Sequence, residues 1–221
     1  MTSDSLSPLQ QALIVIATGL ILVCCVLPVS AVTITDDAGS VITLNGTPSR
    51  IVSLAPSNTE ILASLGLLDR VVGVTDVCDY PPEVKNISRI GGYSSMSIEK
   101  ISAAHPDLVL ASDITPKETV QRLRALGLTV MVVCPHTIDE VIRDLRRIGT
   151  VTGEEARADS LGANLSSRLA AVAQEGSATW RPTVAHVVWN KPLYISGNDT
   201  LQEDVIEHAG GTNAFARIHG W

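Results

Sequence analysis

Among the residues able to carry chemistry, the five histidines, His105, His136, His186, His208 and His219, show no His-x-x-x-His or comparable spacing, so no protein-built metal site is implied. His136 stands in Cys134-Pro135-His136, directly behind an apolar run. It is therefore a loop residue, either a polar surface group or a group facing a cleft. No Gly-x-Gly-x-x-Gly follows a strand pattern, and no Gly-Lys-Ser/Thr loop, Gly-x-Ser-x-Gly elbow or His-Glu-x-x-His pair is present. The Gly91-Gly92 and Gly210-Gly211 pairs read as turns, and the chain is not read as an enzyme. Two carboxylates fall at helix starts. Glu60 closes the capping box Ser57-Asn58-Thr59-Glu60, while Glu99 lies in the first turn behind Ser97, where a carboxylate stabilises the helix dipole by about 0.3 to 1 kcal/mol.

The elements that must position these groups show in the apolar periodicity. Val32-Thr33-Ile34-Thr35 and Val41-Ile42-Thr43-Leu44 alternate around Asp36-Asp37-Ala38-Gly39-Ser40, a surface β-hairpin serving as a lead-in. Short apolar runs follow at Ile51 to Ala55, Val71 to Val74, Leu108 to Ala111 and Val130 to Val133, the pattern of strands buried on both faces of a parallel sheet. Between them lie helices closed by Gly66, capped by Ser97, and running from Thr115-Pro116 to Leu126 ahead of Gly127. Alternating strands and helices predict an open α/β layer structure with right-handed crossovers.

Two helices then follow in succession, Ile138 to Ile148 and a longer one from Thr152-Gly153 to about Gln174, with Leu161, Leu165, Leu169 and Val172 on one stripe. At 1.5 Å per residue the second spans about 33 Å, which suits a bridge between two lobes. Beyond Pro182 the sequence predicts a strand over Thr183 to Trp189, a second over Tyr194 to Gly197 and a helix from Leu201 to about Ala209. That is too little to bury a separate core, so the second lobe reads as incomplete. Trp189, at a strand end, reads as core rather than cleft.

With 45% hydrophobic and 18% charged residues the chain buries a core, and a net charge of −7 without a basic cluster argues against nucleic acid. The uncharged run Ala12 to Val29, followed by Val29-Ser30-Ala31, reads as a cleaved signal peptide or a retained membrane anchor. Cys24 and Cys25 lack the small preceding pair that lipidation favours. The domain plan is residues 1–31 export signal or anchor, 32–47 hairpin, 48–150 first α/β lobe, 151–176 interlobe helix and 177–221 partial second lobe.

Arg50-Ile51-Val52-Ser53-Leu54-Ala55-Pro56-Ser57-Asn58-Thr59-Glu60, Val72-Gly73-Val74-Thr75, Cys78-Asp79-Tyr80-Pro81-Pro82, Ile90-Gly91-Gly92, Pro106-Asp107-Leu108-Val109-Leu110 and His208-Ala209-Gly210-Gly211-Thr212-Asn213-Ala214-Phe215 together resemble the helical-backbone periplasmic binding proteins, which bind cobalamin, siderophores and haem for ABC importers. The resemblance runs from about Arg50 to Trp221. It implies two Rossmann-like α/β lobes joined by one long helix, with the ligand in the cleft between them. It places Tyr93, Tyr194 and Trp221 at positions where cobalamin binders stack aromatics on the ligand, with Val77 and Ser112 standing where those binders carry further aromatics. Haem-binding relatives use a tyrosine or histidine as iron ligand, a role open to Tyr93 or His136. Glu99 matches the first-lobe carboxylate that docks on the transporter. If the family's sheet order holds, Cys78 and Cys134 follow opposite edge strands, about 14 Å apart, and do not pair.

The implied protein is an extracytoplasmic, monomeric solute carrier with no cofactor of its own, partnered by an ABC permease and attached to the membrane if the first segment is uncleaved. The alternative is a membrane-tethered sensor or a truncated surface module without a transport role.

Overall fold

In the computed structural model, residues 7–9, 31–93, 95–175 and 180–220 are described, and contacts group Met1–Ala31 and Val32–Trp221 as separate units. The signal or anchor segment lies almost wholly outside the described residues. Among those described, no helix is long and apolar enough to cross a membrane.

Strands β1 (Ala31–Thr35) and β2 (Val41–Asn45) form the expected two-stranded sheet. The four apolar runs become β3 (Ile51–Ser53), β4 (Val71–Val74), β5 (Leu108–Ser112) and β6 (Val130–Val133), all parallel, in the order β4-β3-β5-β6. Their composition follows from burial on both faces. Along β5, Leu108 and Leu110 enter one core cluster with β2, α1 (Pro56–Ser64) and α4 (Ile138–Thr152), while Val109 and Ala111 enter another with α2 (Ile98–Ala103) and α3 (Lys117–Ala125). Alternate side chains of a strand point to opposite faces, so a sheet covered twice needs apolar residues at every position.

The helix punctuation holds at α2, where Ser97 Oγ accepts from Lys100 N at 3.2 Å, and at α3, which runs from Lys117 to Ala125 with Gly127 left-handed behind it. It fails at α1. The helix begins at Pro56 with Ala55 as its N-cap and no side-chain cap, so Ser57 and Glu60 lie inside it rather than closing a box. Proline at the first position has no N–H to lose there, which lets the helix start two residues ahead of the polar signal.

The hairpin is more than a lead-in. Asp36 Oδ2 accepts from Val132 N at 3.1 Å and from Arg124 Nη2 at 2.8 Å, and Asp37 Oδ2 accepts from Cys134 N at 2.7 Å. Asp37 Oδ1 holds Arg143 Nη2 at 2.9 Å and Arg147 Nη1 at 2.7 Å, both on α4. The turn therefore occupies the outer edge of β6, which would otherwise present unpaired backbone groups. Cys78, behind β4, and Cys134, behind β6, are free thiols beyond opposite edge strands.

Helix α4 runs four residues further than expected and turns at left-handed Gly153 into α5 (Glu155–Glu175), the long helix. The two pack closely because a Cβ on Gly149 would collide with that of Ala158, and one on Gly162 would meet Ile142 and Arg146 at 3.2 Å. Burial is confined to the first half of α5. Ala158 and Gly162 are buried and Leu161 packs on the core, whereas Leu165 and Val172 stand exposed.

After Pro182 the predicted single strand is two, β7 (Thr183–Val184) and β8 (Val187–Asn190). Strand β8 pairs antiparallel with β9 (Leu193–Ile195), and β7 pairs parallel with β10 (Thr212–Asn213) across α6 (Leu201–His208). Trp189, expected in a core, is 61% exposed, since among the described residues β8 pairs with β9 alone. The architecture is an α/β fold of two Rossmann-like lobes joined by one long helix, the second lobe represented here by β7 to β10 and α6.

Candidate functional site

A cavity of about 550 Å³ opens where the C-terminal ends of the first-lobe strands face the long helix and the start of α6. Open parallel sheets bind ligands at that end, since the strands stop there and loops and helix starts converge. Ser57 and Asn58 come from the first turn of α1, Ser112 and Asp113 from the end of β5, and Pro135 and His136 from the loop after β6. Leu161, Leu165 and Arg168 of α5 form the far wall, and Asp199, Thr200 and Gln202 close it from the second lobe.

His136 is the hinge of the polar chemistry. Its backbone N donates to Glu140 Oε2 at 2.7 Å, and its ring Nδ1 lies 2.9 Å from the Asp199 carbonyl oxygen. A carbonyl only accepts, so Nδ1 carries the proton, and Nε2 is left to face Cys134 Sγ at 3.5 Å. The bond to the Asp199 carbonyl, then the carboxylates of Asp199, Glu140 and Asp113, hold the imidazole pKa above its usual value against the opposing effect of burial. Burial first, and then the surrounding carboxylates led by Asp113, push the Cys134 thiol up to about 11. The thiol therefore stays protonated beside the ring.

The same surface ties the lobes together. Ile138 N, opening α4, donates to Asp204 Oδ2 on α6 at 2.7 Å, and the His136–Asp199 contact lies beside it. Thr200 caps α6 by accepting from Glu203 N at 3.3 Å.

Of the residues singled out from the sequence, His136 lines the cavity. Tyr93 is half-buried outside its lining, with burial, then the Cys78 thiol and Asp113, raising its phenol pKa. Tyr194 is 49% exposed on β9, opposite Trp189, whose Nε1 donates to Lys191 O at 2.9 Å. Neither of these two aromatic side chains reaches the cavity wall. Trp221 lies outside the described residues. Glu99 is exposed in the first turn of α2; its own backbone N–H and the Ser97 hydroxyl, 3.0 Å away, lower its pKa. Ser112, standing where the resemblance places a further aromatic, also lines the cavity, and the groups that sequence reasoning missed are Asn58, Arg168, Asp199 and Gln202. Asn58 was hidden inside an apparent capping box, and the others come together only through the fold.

A profile of the family described as periplasmic binding protein matches residues 51–221. The chain belongs to that family. Periplasmic binding proteins of known sequence that it resembles include an uncharacterized ABC transporter substrate-binding lipoprotein of Bacillus subtilis, 33% identical over 198 residues, 86% of this chain and 63% of the relative. Among solved structures, the periplasmic vitamin B12 binding protein of Vibrio cholerae superposes with a TM-score of 0.72 at 26% identity, covering 78% of this chain and 68% of that one. The periplasmic heme-binding protein of Roseiflexus sp. RS-1, in apo form, gives a TM-score of 0.70 at 30% identity, covering 78% and 67%. The chain thus spans 63% of the length of the B. subtilis relative. The α/β lobes and long helix described above are those of this family.

Proposed function

We propose that this chain is the extracytoplasmic solute-binding component of an ABC importer and takes a metal chelate, a corrinoid such as cobalamin, an iron-siderophore or haem, into the interlobe cleft. The observation that carries the reading is the 550 Å³ cavity at the strand ends, bounded on one side by the long helix and on another by the second lobe. Such a volume lies within the range of small-molecule sites, about 300 to 1,000 Å³. The relatives named for vitamin B12 and heme binding support the ligand class. In this scheme residues 48–150 form the ligand-binding lobe, 151–176 the connector and 177–221 the part of the second lobe that closes over the ligand. Closure works by hinging, with His136–Asp199 and Ile138–Asp204 as the contacts made when the lobes meet.

Binding rather than catalysis fits the chemistry of the wall. Cys134 and His136 are near enough to form a nucleophile and base, yet a thiol with a pKa of about 11 supplies almost no thiolate at neutral pH. Tyr93 and Tyr194 can reach a ligand only if it extends beyond the cavity, as a broad macrocycle would. Glu99 is an exposed carboxylate in the first turn of α2, held by the Ser97 hydroxyl, and is suited to an arginine of the permease.

Titration of the purified protein with cobalamin, haem and a ferric siderophore, followed by tryptophan fluorescence, tests the reading. Saturable quenching by one of them is the expected result. Silence from all three would replace the carrier by a tethered sensor or a surface module with no transported ligand.

A further inference from the structure

Four of the seven asparagines stand two residues ahead of a serine or threonine with no proline between them: Asn45-Gly46-Thr47, Asn86-Ile87-Ser88, Asn164-Leu165-Ser166 and Asn198-Asp199-Thr200. Serine and threonine make up 38 of the 221 residues, so chance would place about one such triplet. The triplet is the acceptor pattern for N-linked oligosaccharides. A transferase has to engage the asparagine amide and the hydroxyl together, so both must be free and on one side of an accessible segment.

Three of the four triplets are held by the fold. Asn164 and Ser166 lie within α5, where residues two apart point about 200° apart, and Ser166 Oγ donates to Gly162 O at 2.9 Å. Asn164 also lines the cavity, which an oligosaccharide there would fill. Asn198 Oδ1 lies 2.9 Å from His219 Nδ1, and Thr200, 4% exposed, donates its hydroxyl to Gly197 O at 2.9 Å. Asn45 ends β2, and Gly46, at a φ of 111°, breaks the extended path to Thr47. The Thr47 side chain stands close enough to Gly153, at the turn between α4 and α5, to meet an added Cβ at 3.3 Å.

Asn86 differs on each count. It ends the short 3₁₀ helix Pro82–Asn86 at the surface, and Ile87 behind it is extended, with φ −89° and ψ 142°. Alternate side chains of extended backbone share a side, so the exposed Asn86 and Ser88 face outward together while Ile87 packs on the core. The backbone beneath them is anchored, since Val74 N donates to Ser88 O and Ile90 N to Val74 O, each at 3.0 Å. None of residues 82–90 lines the cavity, so a sugar chain attached here leaves that space unfilled.

We propose that Asn86 carries an N-linked oligosaccharide and that the other three triplets stay bare. The inference rests on the extracytoplasmic reading above, because this transfer takes place on exported chains. The donor is an oligosaccharide joined through phosphate to a polyprenyl lipid. The bond between the first sugar's C1 and the phosphate oxygen breaks, and a bond from Asn86 Nδ2 to C1 forms. The amide gives up one proton to the transferase or to water, and the lipid leaves with its phosphate.

The test takes the protein from the cells that make it, separates extracytoplasmic from cytoplasmic material, and measures the masses of its proteolytic peptides. In the extracytoplasmic fraction the peptide holding Asn86 should carry the mass of an oligosaccharide, and those holding Asn45, Asn164 and Asn198 should not. Variants N86Q and S88A should migrate faster on a denaturing gel by the same increment, while S88T, which keeps a hydroxyl, should run with the unaltered protein. Position 88 is exposed, so circular dichroism should show S88A and S88T equally folded. A bare Asn86 on exported protein, sugar on another triplet in its stead, or S88A running with S88T would overturn the site and leave the carrier reading standing. Bare protein found only in the cytoplasm would overturn both.

Discussion

Strands β5 and β8 are made of the same kinds of residue and meet opposite fates. Every position of Leu-Val-Leu-Ala-Ser in β5 is buried, and every position of Val-Val-Trp-Asn in β8 is exposed. Strand β5 lies between β3 and β6 with helices over both faces, while β8 has one antiparallel neighbour. Edges are treated differently as well. In the first lobe Asp36 and Asp37 hold the hairpin turn across the rim of β6, whereas the β8–β9 pair has no such cover among the described residues. Apolar sequence thus marks a capacity for burial, and neighbouring elements decide whether it is used.

The largest expected effect is in the first-lobe core. Leu110→Ala removes a fully buried side chain that touches the α1 and α4 side of the sheet, and should cost about 3 kcal/mol in urea denaturation. Asp37→Ala comes next, at about 2 kcal/mol, because it leaves Cys134 N and two arginines without their shared carboxylate. A loss near zero would show the hairpin to be as loosely held as β8–β9.

A third measurement separates the buried acid pair by pH. Burial first, then the charge of Asp37, raises the Asp144 pKa to about 6, although Arg143 and Arg147 lie within 3.3 and 3.1 Å. A carboxyl with a raised folded-state pKa contributes stability that is complete below its unfolded value, about 3.9, and is lost as the pH rises through about 6. Asp37, whose pKa is lowered chiefly by its hydrogen bonds from Cys134 and Arg147 against burial, has the opposite dependence and loses its contribution as the pH falls. Asp144→Asn should therefore gain stability relative to the unaltered protein between pH 4 and pH 7, by on the order of 1 kcal/mol, in melting curves across that range. The smallest effect belongs to the second lobe. Leu193→Ala on β9 should change stability by no more than about 0.5 kcal/mol. A loss comparable to that at Leu110 would mean that the exposed pair is covered in solution and would end the contrast.

Much of the first lobe was legible beforehand because its signals are local. The runs at Ile51, Val71, Leu108 and Val130 had to be doubly covered strands, and Ser97 and Gly127 marked a helix start and a helix end by their own backbone chemistry. The site was far less legible. His136 could be brought to a loop at the strand ends, where a surface or a cleft position stayed open, but Tyr93 and Tyr194 fall outside the cavity, and Asn58, Arg168 and Gln202 of its wall carry no sequence signature.

By itself, then, the sequence determined the repeating unit of strand and crossover helix and the long connector, since periodicity and capping depend on residues within a few positions of one another. Only the tertiary structure decided that Asp37 seals β6, that His136 meets Asp199, and that polar side chains from both lobes line one cavity. Those outcomes depend on groups tens of residues apart reaching hydrogen-bond distance, and burial changes what each polar group costs only once the surrounding elements have closed over it.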